Sequence, residues 1–559
     1  MGEWADMKTH TIILFLLFIL VNVLFVFPIV YLFVGSLSSS ALTVLPPFSF
    51  KNYLDAFSDP LFTPIVVNTL AFSVGAALLS LVLGMILAWK YSRTIFRGRG
   101  LIGKLSYLGI TVPVFVQALG WIFLLNGNNG LINELAKFVL RINHPLFDVY
   151  SLPGMILVQG LVEVPLSFAI LSSAISQFDR ELESAARISG ASTYATVTKV
   201  VLPLLLPSMV ACFLLTFAGS IESFAVPLFV GQGAGITVLS TKVYFAIAAG
   251  LSPQFGEAAA YGIILCIPVV ILTYVGTRLT TSEKYQFVRG SSSTYVEQRK
   301  GGITGLISTI LTMTVVVMIV FLPLSVLLYT SIIQYFHPPD AGTLGLITFK
   351  GYQDVLFGSL STPLINTLIY GTIAASIGLP VAFMLAYATH TYTGRLSDYF
   401  RIAAGSISYS TPGIVFGLAL LWTYIRTPIY GTMWMLILAY ICKFLPLGFR
   451  TLVGGVSRMH KEMEEAAILS GASILKRTRR IFAPLLKSDF ATSWILICAG
   501  ASRDISMTLL LYSTNTITVS VDVYNLYNSV GTNEMASLAI FLAFILLTMF
   551  SIIRRVFKT

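Results

Sequence analysis

The sequence predicts an all-α polytopic membrane protein of about twelve transmembrane helices, arranged as two parallel six-helix repeats. Three observations carry this. Long charge-free apolar windows recur along the chain, Lys and Arg gather in alternate loops, and the two halves match at nearly constant offsets. Of 559 residues, 56% belong to the hydrophobic set and only 11% are charged, against about 25% in a typical soluble domain. The mean hydropathy is +0.85. A secreted disulfide scaffold, a nucleic-acid binder and a disordered chain are excluded on these grounds. Cys212, Cys266, Cys442 and Cys498 each lie in an apolar stretch without a CxxC pair, which reads as buried small hydrophobes.

A bilayer core of about 30 Å needs roughly 20 apolar residues per helix. Residues 11–50, 60–89, 105–133, 258–277, 301–339, 355–394, 402–425 and 535–553 contain no Asp, Glu, Lys or Arg. Four further windows carry one or two charges: 149–178 (Glu163), 200–230 (Glu222), 427–449 (Lys443) and 490–512 (Arg503, Asp504). Spans are therefore expected near 11–35, 63–89, 103–126, 152–177, 204–230, 258–277, 303–332, 364–389, 400–425, 431–450, 489–511 and 534–553. The first is too long for the apolar core of a signal peptide and lacks an A-x-A site, so it counts as a span.

Orientation follows from the basic residues. With both termini cytoplasmic, 27 of the 35 Lys and Arg fall on the cytoplasmic side and 6 on the outer side, with Lys443 and Arg503 inside spans. One missed helix would invert every later loop and destroy that asymmetry. The net charge of +11 is thus a topology signal and calls for no acidic partner.

The repeat is visible in short matches. Asn68-Thr69-Leu70 opens the second span and Asn366-Thr367-Leu368 the eighth, 298 residues apart. Pro113 and Pro412 sit 299 apart in the third and ninth spans, and Val164-Pro165-Leu166 faces Leu445-Pro446-Leu447 at 281. The first half therefore carries extra residues near 127–150, an outer loop with an expected short amphipathic helix at 131–140. The division expected is a first repeat at 1–280, a cytoplasmic linker at 281–302 and a second repeat at 303–559. Parallel repeats are related by an axis along the membrane normal, with the pathway between them.

The strongest motif is a repeated cytoplasmic loop. Glu181-Leu-Glu183-Ser184-Ala185-Ala186-Arg-Ile-Ser-Gly190-Ala-Ser192 leads to Pro203, and Glu462-Met-Glu464-Glu465-Ala466-Ala467-Ile-Leu-Ser-Gly471-Ala-Ser473 leads to Pro484. Gly190 to Gly471 and Pro203 to Pro484 are both 281 residues. The pattern reads as helix, turn, helix. Acidic residues suit the first helix N-terminus, glycine suits a left-handed C-terminal turn, and serine can cap the next helix. One copy would pass for an ordinary solvated turn; two at one offset, each before a proline and a new span, do not.

These loops resemble the EAA motif of permease subunits in binding-protein-dependent ABC importers. Glu465, Ala466, Ala467 and Gly471 match it well, and the first copy has Ser184 where the motif's Glu stands. The resemblance covers nearly the whole chain as two fused permease domains. Arg503-Asp504-Ile505-Ser-Met-Thr508-Leu-Leu-Leu511 and Glu222-Ser-Phe-Ala-Val-Pro227 are similar to stretches of ferric-iron permeases. What this implies is a transport subunit, not an enzyme, in a bacterial cytoplasmic (inner) membrane, multi-pass, with both termini cytoplasmic. Two copies of an ABC ATPase would dock at Glu183, Ser184, Ala185, Ala186, Gly190, Glu464, Glu465, Ala466, Ala467 and Gly471, and an extracytoplasmic solute-binding protein would deliver cargo. The chain has no G-x-x-x-x-G-K-[ST] and no catalytic constellation, so it is expected to bind no cofactor, with ATP held by the partner subunits.

Charges at membrane depth usually face protein or water. Glu222, Arg503 and Asp504 are the candidates for the translocation pathway. Glu163 and Lys443 read as structural, because neither has a matched charge in the other half, and Gln117 and Gln159 are weaker polar candidates. Two carboxylates are hard oxygen ligands, so Glu222 and Asp504 are expected to touch a small cation transiently, ferric iron first. Arg503 would favour phosphonate or another anion, and the resemblance leaves thiamine, phosphonate or another small organic solute as the alternatives. A twelve-span secondary transporter or a channel would need no ATPase socket, and the repeated loop argues against both.

Overall fold

A computed structural model of the protein describes residues 12–557 except 13, 39–46, 94–99, 101–102, 104–108, 110, 178–179, 250–252, 282–302, 341, 392–393, 408–409 and 473. The expected linker at 281–302 lies almost wholly outside the described residues, as do both chain ends, part of the third span, and Ser473.

Among the described residues the regular secondary structure is helical, apart from two isolated antiparallel bridges, Ser38 with Phe48 and Ile333 with Ile347. The first half runs α1 Leu14–Ser36, α2 Lys51–Ser58, α3 Phe62–Arg93, α4 Val114–Leu125, α5 Leu131–Leu140, α6 Leu152–Gln177, α7 Arg180–Ile188, α8 Tyr194–Glu222, α9 Leu239–Ala248 and α10 Phe255–Thr281. The second runs α11 Thr312–Ser331, α12 Lys350–Phe357, α13 Ser361–Thr391, α14 Arg395–Ile402, α15 Gly413–Tyr424, α16 Met433–Val456, α17 Lys461–Leu469, α18 Lys487–Arg503, α19 Thr508–Leu511, α20 Val519–Asn528 and α21 Thr532–Phe557.

Among the described residues nine helices are long and apolar enough to cross a membrane, and a tenth candidate, Thr478–Leu485 with α18, is bent by 76°. The third and ninth spans, expected as continuous helices, are instead interrupted at the matched prolines. Pro113 and Pro412 are extended (ψ 141° and 139°) and precede helices of 12 residues each, α4 and α15. Proline removes an N–H and its ring crowds the preceding turn, so a helix stops there. The fifth and eleventh spans, expected to reach 230 and 511, end early at Glu222 and Arg503, where Ser223 and Asp504 turn extended (ψ 131° and 134°). The amphipathic helix expected at 131–140 is α5. Buried Asn133 holds it, donating to the carbonyls of Asn126 and Phe147 and accepting from the N–H groups of Leu146 and Phe147.

The described chain forms two compact units, one of residues 1–59, 242–266 and 348–559, the other of 60–241 and 267–347. In the first, fully buried Trp422 of α15 is the centre of a packed face. Phe255 stacks on it at 5.5 Å and Tyr31 meets it edge-on at 6.1 Å. A Cβ on Gly35 would lie 2.4 Å from the Trp422 ring, so α1 reaches α15 only because residue 35 has no side chain. Small residues set the α13–α16–α18 contacts as well: Gly371 lies against Ser502, and Gly448 against Ile497. In the second unit α3 and α6 touch through Ser80 and Ser167, whose hydroxyls are 2.6 Å apart. On α3 the exposed Leu78, Val82 and Ile86 repeat every four residues, an apolar stripe that suits lipid rather than water.

Candidate functional site

Each compact unit carries one copy of the helix–glycine–helix turn. In the first copy α7 closes at Gly190 with φ +86°. The Ala191 N–H reaches back to the Ala186 carbonyl at 3.0 Å, and the Ser189 hydroxyl donates to the Ala185 carbonyl at 2.9 Å. In the second, α17 closes at Gly471 with φ +71°, the Ala472 N–H donates to Ala467 at 3.0 Å, and the Ser470 hydroxyl to Ala466 at 2.8 Å. These satisfy the carbonyls that a helix end leaves open, and the left-handed glycine makes the return possible. Ser192 caps the next helix through the Ala195 N–H at 3.2 Å.

Both turns hold apolar side chains out to solvent at matched positions. Ile188 is 88% exposed and Leu469, its mate 281 residues on, 89%. Leu182 and Met463 form a second matched, exposed pair. Ser184 and Ala185 are exposed and Ala186 half-buried, as are Ala466 and Ala467 respectively. Glu183 is not free: its carboxylate meets the Arg93 guanidinium at the end of α3, 2.6 Å away. Glu464 and Glu465 lie on α17, and their side chains fall outside the described residues.

The second constellation is built at the helix breaks. A broken helix exposes carbonyls that lipid cannot satisfy. Gln117 donates to the Val112 carbonyl at 3.4 Å in one half, and Lys443 to the Thr411 carbonyl at 2.7 Å in the other. Lys443 therefore has the structural task read from its sequence position. Asp504 is engaged too. It accepts from the Ser506 hydroxyl at 2.9 Å, the Met507 and Thr508 N–H groups at 3.0 and 3.1 Å, and the Thr508 hydroxyl at 3.0 Å. It thereby caps α19. A Cβ on Gly413 would lie 2.3 Å from the Ser506 hydroxyl, so the breaks of the ninth and eleventh spans touch.

The first half answers with different chemistry. Since α8 ends at Glu222 and α18 at Arg503, the mate of Asp504 is Ser223, and the acid of each half sits one residue out of step. The Ser223 hydroxyl donates to Gln159 at 2.9 Å, and the Gln159 amide donates to Glu163 at 3.1 Å. The Glu163 carboxylate lies against Gly219, one turn before Glu222, close enough for the two acids to interact. Glu163 was set apart from the pathway for want of a matched charge, and the fold brings it beside Glu222. The four-residue spacing of Gln159 and Glu163 puts both on one face of α6 but does not say which helix that face meets. Among the described residues no group of three or more His, Cys, Asp or Glu is placed to hold a metal ion.

The family model described as a binding-protein-dependent transport system inner membrane component matches residues 80–281 and again 378–558. The putative ferric transport system permease protein FbpB 1 of Haemophilus influenzae is 28% identical over 478 residues, which is 83% of this chain and 72% of that one. The ferric transport system permease protein FbpB of Actinobacillus pleuropneumoniae is 28% identical over 472 residues, 82% of this chain and 66% of that one. A putative 2-aminoethylphosphonate transport system permease protein of Salmonella typhi is 30% identical over 184 residues, 33% of this chain and 63% of that one.

Proposed function

The chain belongs to the family of binding-protein-dependent transport system inner membrane components, the permeases of ABC importers, and on that premise we propose that it carries ferric iron inward, driven by two ATPase subunits docked at its two glycine turns. The observation that supports this most is the pair of matched turns around Gly190 and Gly471, each presenting one protruding aliphatic side chain, Ile188 or Leu469. Two equivalent knobs suit two equivalent sockets on an ATPase dimer. In this reading the turns and both termini are cytoplasmic, the membrane is the bacterial inner membrane, and the solute-binding protein docks on the opposite face. The chain itself binds no nucleotide.

The ferric reading draws on the two ferric relatives and on Glu222, whose acidic neighbour Glu163 adds a second hard oxygen donor. Asp504 also lines the route in this reading, but its carboxylate already accepts four hydrogen bonds, so a passing cation must displace a donor. That keeps binding weak, as conduction requires. A second reading, phosphonate as cargo, is favoured by Arg503 and by the Salmonella relative. Purification in mild detergent tests the assembly: ATP-hydrolysing subunits in two copies should come with this chain, and a binding protein loaded with ferric ion should raise the hydrolysis rate. Absence of an ATPase would remove the docking assignment. Stimulation only by a phosphonate-loaded protein would remove iron.

A further inference from the structure

Helices α9 and α20 are repeat mates, and the same hydrogen bonds seat them. The Leu239 N–H donates to the Thr69 hydroxyl and the Val519 N–H to the Thr367 hydroxyl, both at 2.9 Å. The Ser240 hydroxyl donates to the Ser223 carbonyl and the Ser520 hydroxyl to the Asp504 carbonyl, both at 2.7 Å. The register is 280 residues in each pair of donors. In that register the mate of Tyr244 is Tyr524, and these two side chains are hydrogen-bonded to each other, with Tyr512 nearby. All three belong to one compact unit.

Two residues exchanged by a two-fold axis can touch only on that axis. For parallel repeats the axis runs along the membrane normal, and the route follows it. Depth follows from α3 and α13. Thr69 and Thr367 each lie 24 residues before the far helix ends, Arg93 and Thr391, which is about 36 Å of helix. Arg93 touches Glu183 of the first docking turn. The start of α9 therefore sits about a bilayer's thickness along α3 from the first turn, and Thr367 holds the same place on α13. The far side of α9 is pinned: Lys242, about 200° around the helix from Tyr244, is held by Asp59 at 3.2 Å and Glu257 at 3.1 Å.

We propose that Tyr244 and Tyr524 close the translocation route at the end away from the docking turns, and that parting α9 from α20 opens it. Two phenols meeting on the axis leave no room for a hydrated ion. A single bond between neutral groups separates readily when the helices move. The polar tips offer no charge to trap cargo once apart, so the pair works as a seal whatever the cargo is.

Light-driven oxidative coupling of neighbouring tyrosines tests this on the complete transporter in proteoliposomes. A Tyr244–Tyr524 linked peptide should be found by mass spectrometry in the nucleotide-free assembly. Its yield should fall at least fivefold after trapping with ATP and vanadate. No linked peptide in the nucleotide-free state, or a yield indifferent to nucleotide, would overturn the proposal. Tyr244→Phe and Tyr524→Phe keep the rings and lose the bond. Each should raise ATP hydrolysis without binding protein severalfold, and a wild-type basal rate in both would also overturn it. The proposal rests on the ATP-driven reading, and hydrolysis retained by the purified assembly separates failure of the seal from failure of that reading.

Discussion

Asp504 is a structural joint whether or not cargo passes it. Its two oxygens take four hydrogen bonds from the three residues Ser506, Met507 and Thr508, and those bonds start α19. Removing a buried acceptor strands its donors at about 1–3 kcal/mol each way of counting. Asp504→Ala should therefore lower the stability of the detergent-solubilised protein by about 2–4 kcal/mol, read as a drop in Tm, whereas Asp504→Asn keeps an acceptor oxygen and should lose about 1 kcal/mol. Equal Tm values for the two variants would show that the cap is not held by the carboxylate. Gly190 and Gly471 are glycine for a backbone reason, since both have φ well above zero and open space where a Cβ would go. Alanine there should cost only about 1–2 kcal/mol of backbone strain. Proline cannot adopt that φ at all, so Gly190→Pro and Gly471→Pro should each detach or uncouple the ATPase. Co-purification with normal transport in both variants would contradict the docking role.

At the scale of elements, the interruptions matter more than the spans. The third and ninth helices break at Pro113 and Pro412, and the fifth and eleventh at Ser223 and Asp504. Backbone released in this way survives at membrane depth only when side chains satisfy it, which is the work of Gln117 and Lys443. Lys443→Met keeps the length and apolar stem but leaves the Thr411 carbonyl without this donor. About 1–3 kcal/mol of stability should be lost, measured by thermal unfolding, and no loss would assign that carbonyl to another partner. The close seat of α1 on α15 makes a second test. Gly35→Leu drives a side chain into the Trp422 ring, and overpacking of this kind costs about 1–3 kcal/mol. Accessibility of a cysteine placed on α1 should rise in that variant, and unchanged labelling would mean that α1 is held elsewhere.

At the scale of the whole molecule, the two repeats share a scaffold and differ in its polar filling. Thr69 and Thr367, and Ser240 and Ser520, make the same bonds in both halves. Glu222 with Glu163 and Gln159 faces one way of solving the break, Arg503 with Asp504 another. If ferric iron is the cargo, Glu222→Gln with Asp504→Asn should slow iron uptake about tenfold, equivalent to roughly 1.4 kcal/mol, while assembly and ATP hydrolysis persist. Uptake at the wild-type rate would take both residues out of the route.

The sequence by itself determined the class of molecule, most of the spans, the duplication and the two helix–glycine turns, because each rests on local or periodic signals. Apolar runs reach bilayer length, basic residues alternate between loops, and Gly190 and Gly471 recur at one offset with the residues that end a helix. It also located α5, whose amphipathic period is local. What only the tertiary structure decided is which polar groups meet. Glu163 and Glu222 lie on different helices, and nothing in the spacing says that α6 presents one to the other. The out-of-step acids became visible only once α8 and α18 were seen to end at Glu222 and Arg503. Asn68-Thr69-Leu70 and Asn366-Thr367-Leu368 were legible as a repeat but mute as to purpose, since the N–H groups they receive come from 170 and 152 residues away. Hydrogen bonds across such separations depend on how helices pack, and packing is a property of surfaces in contact that no one-dimensional period encodes.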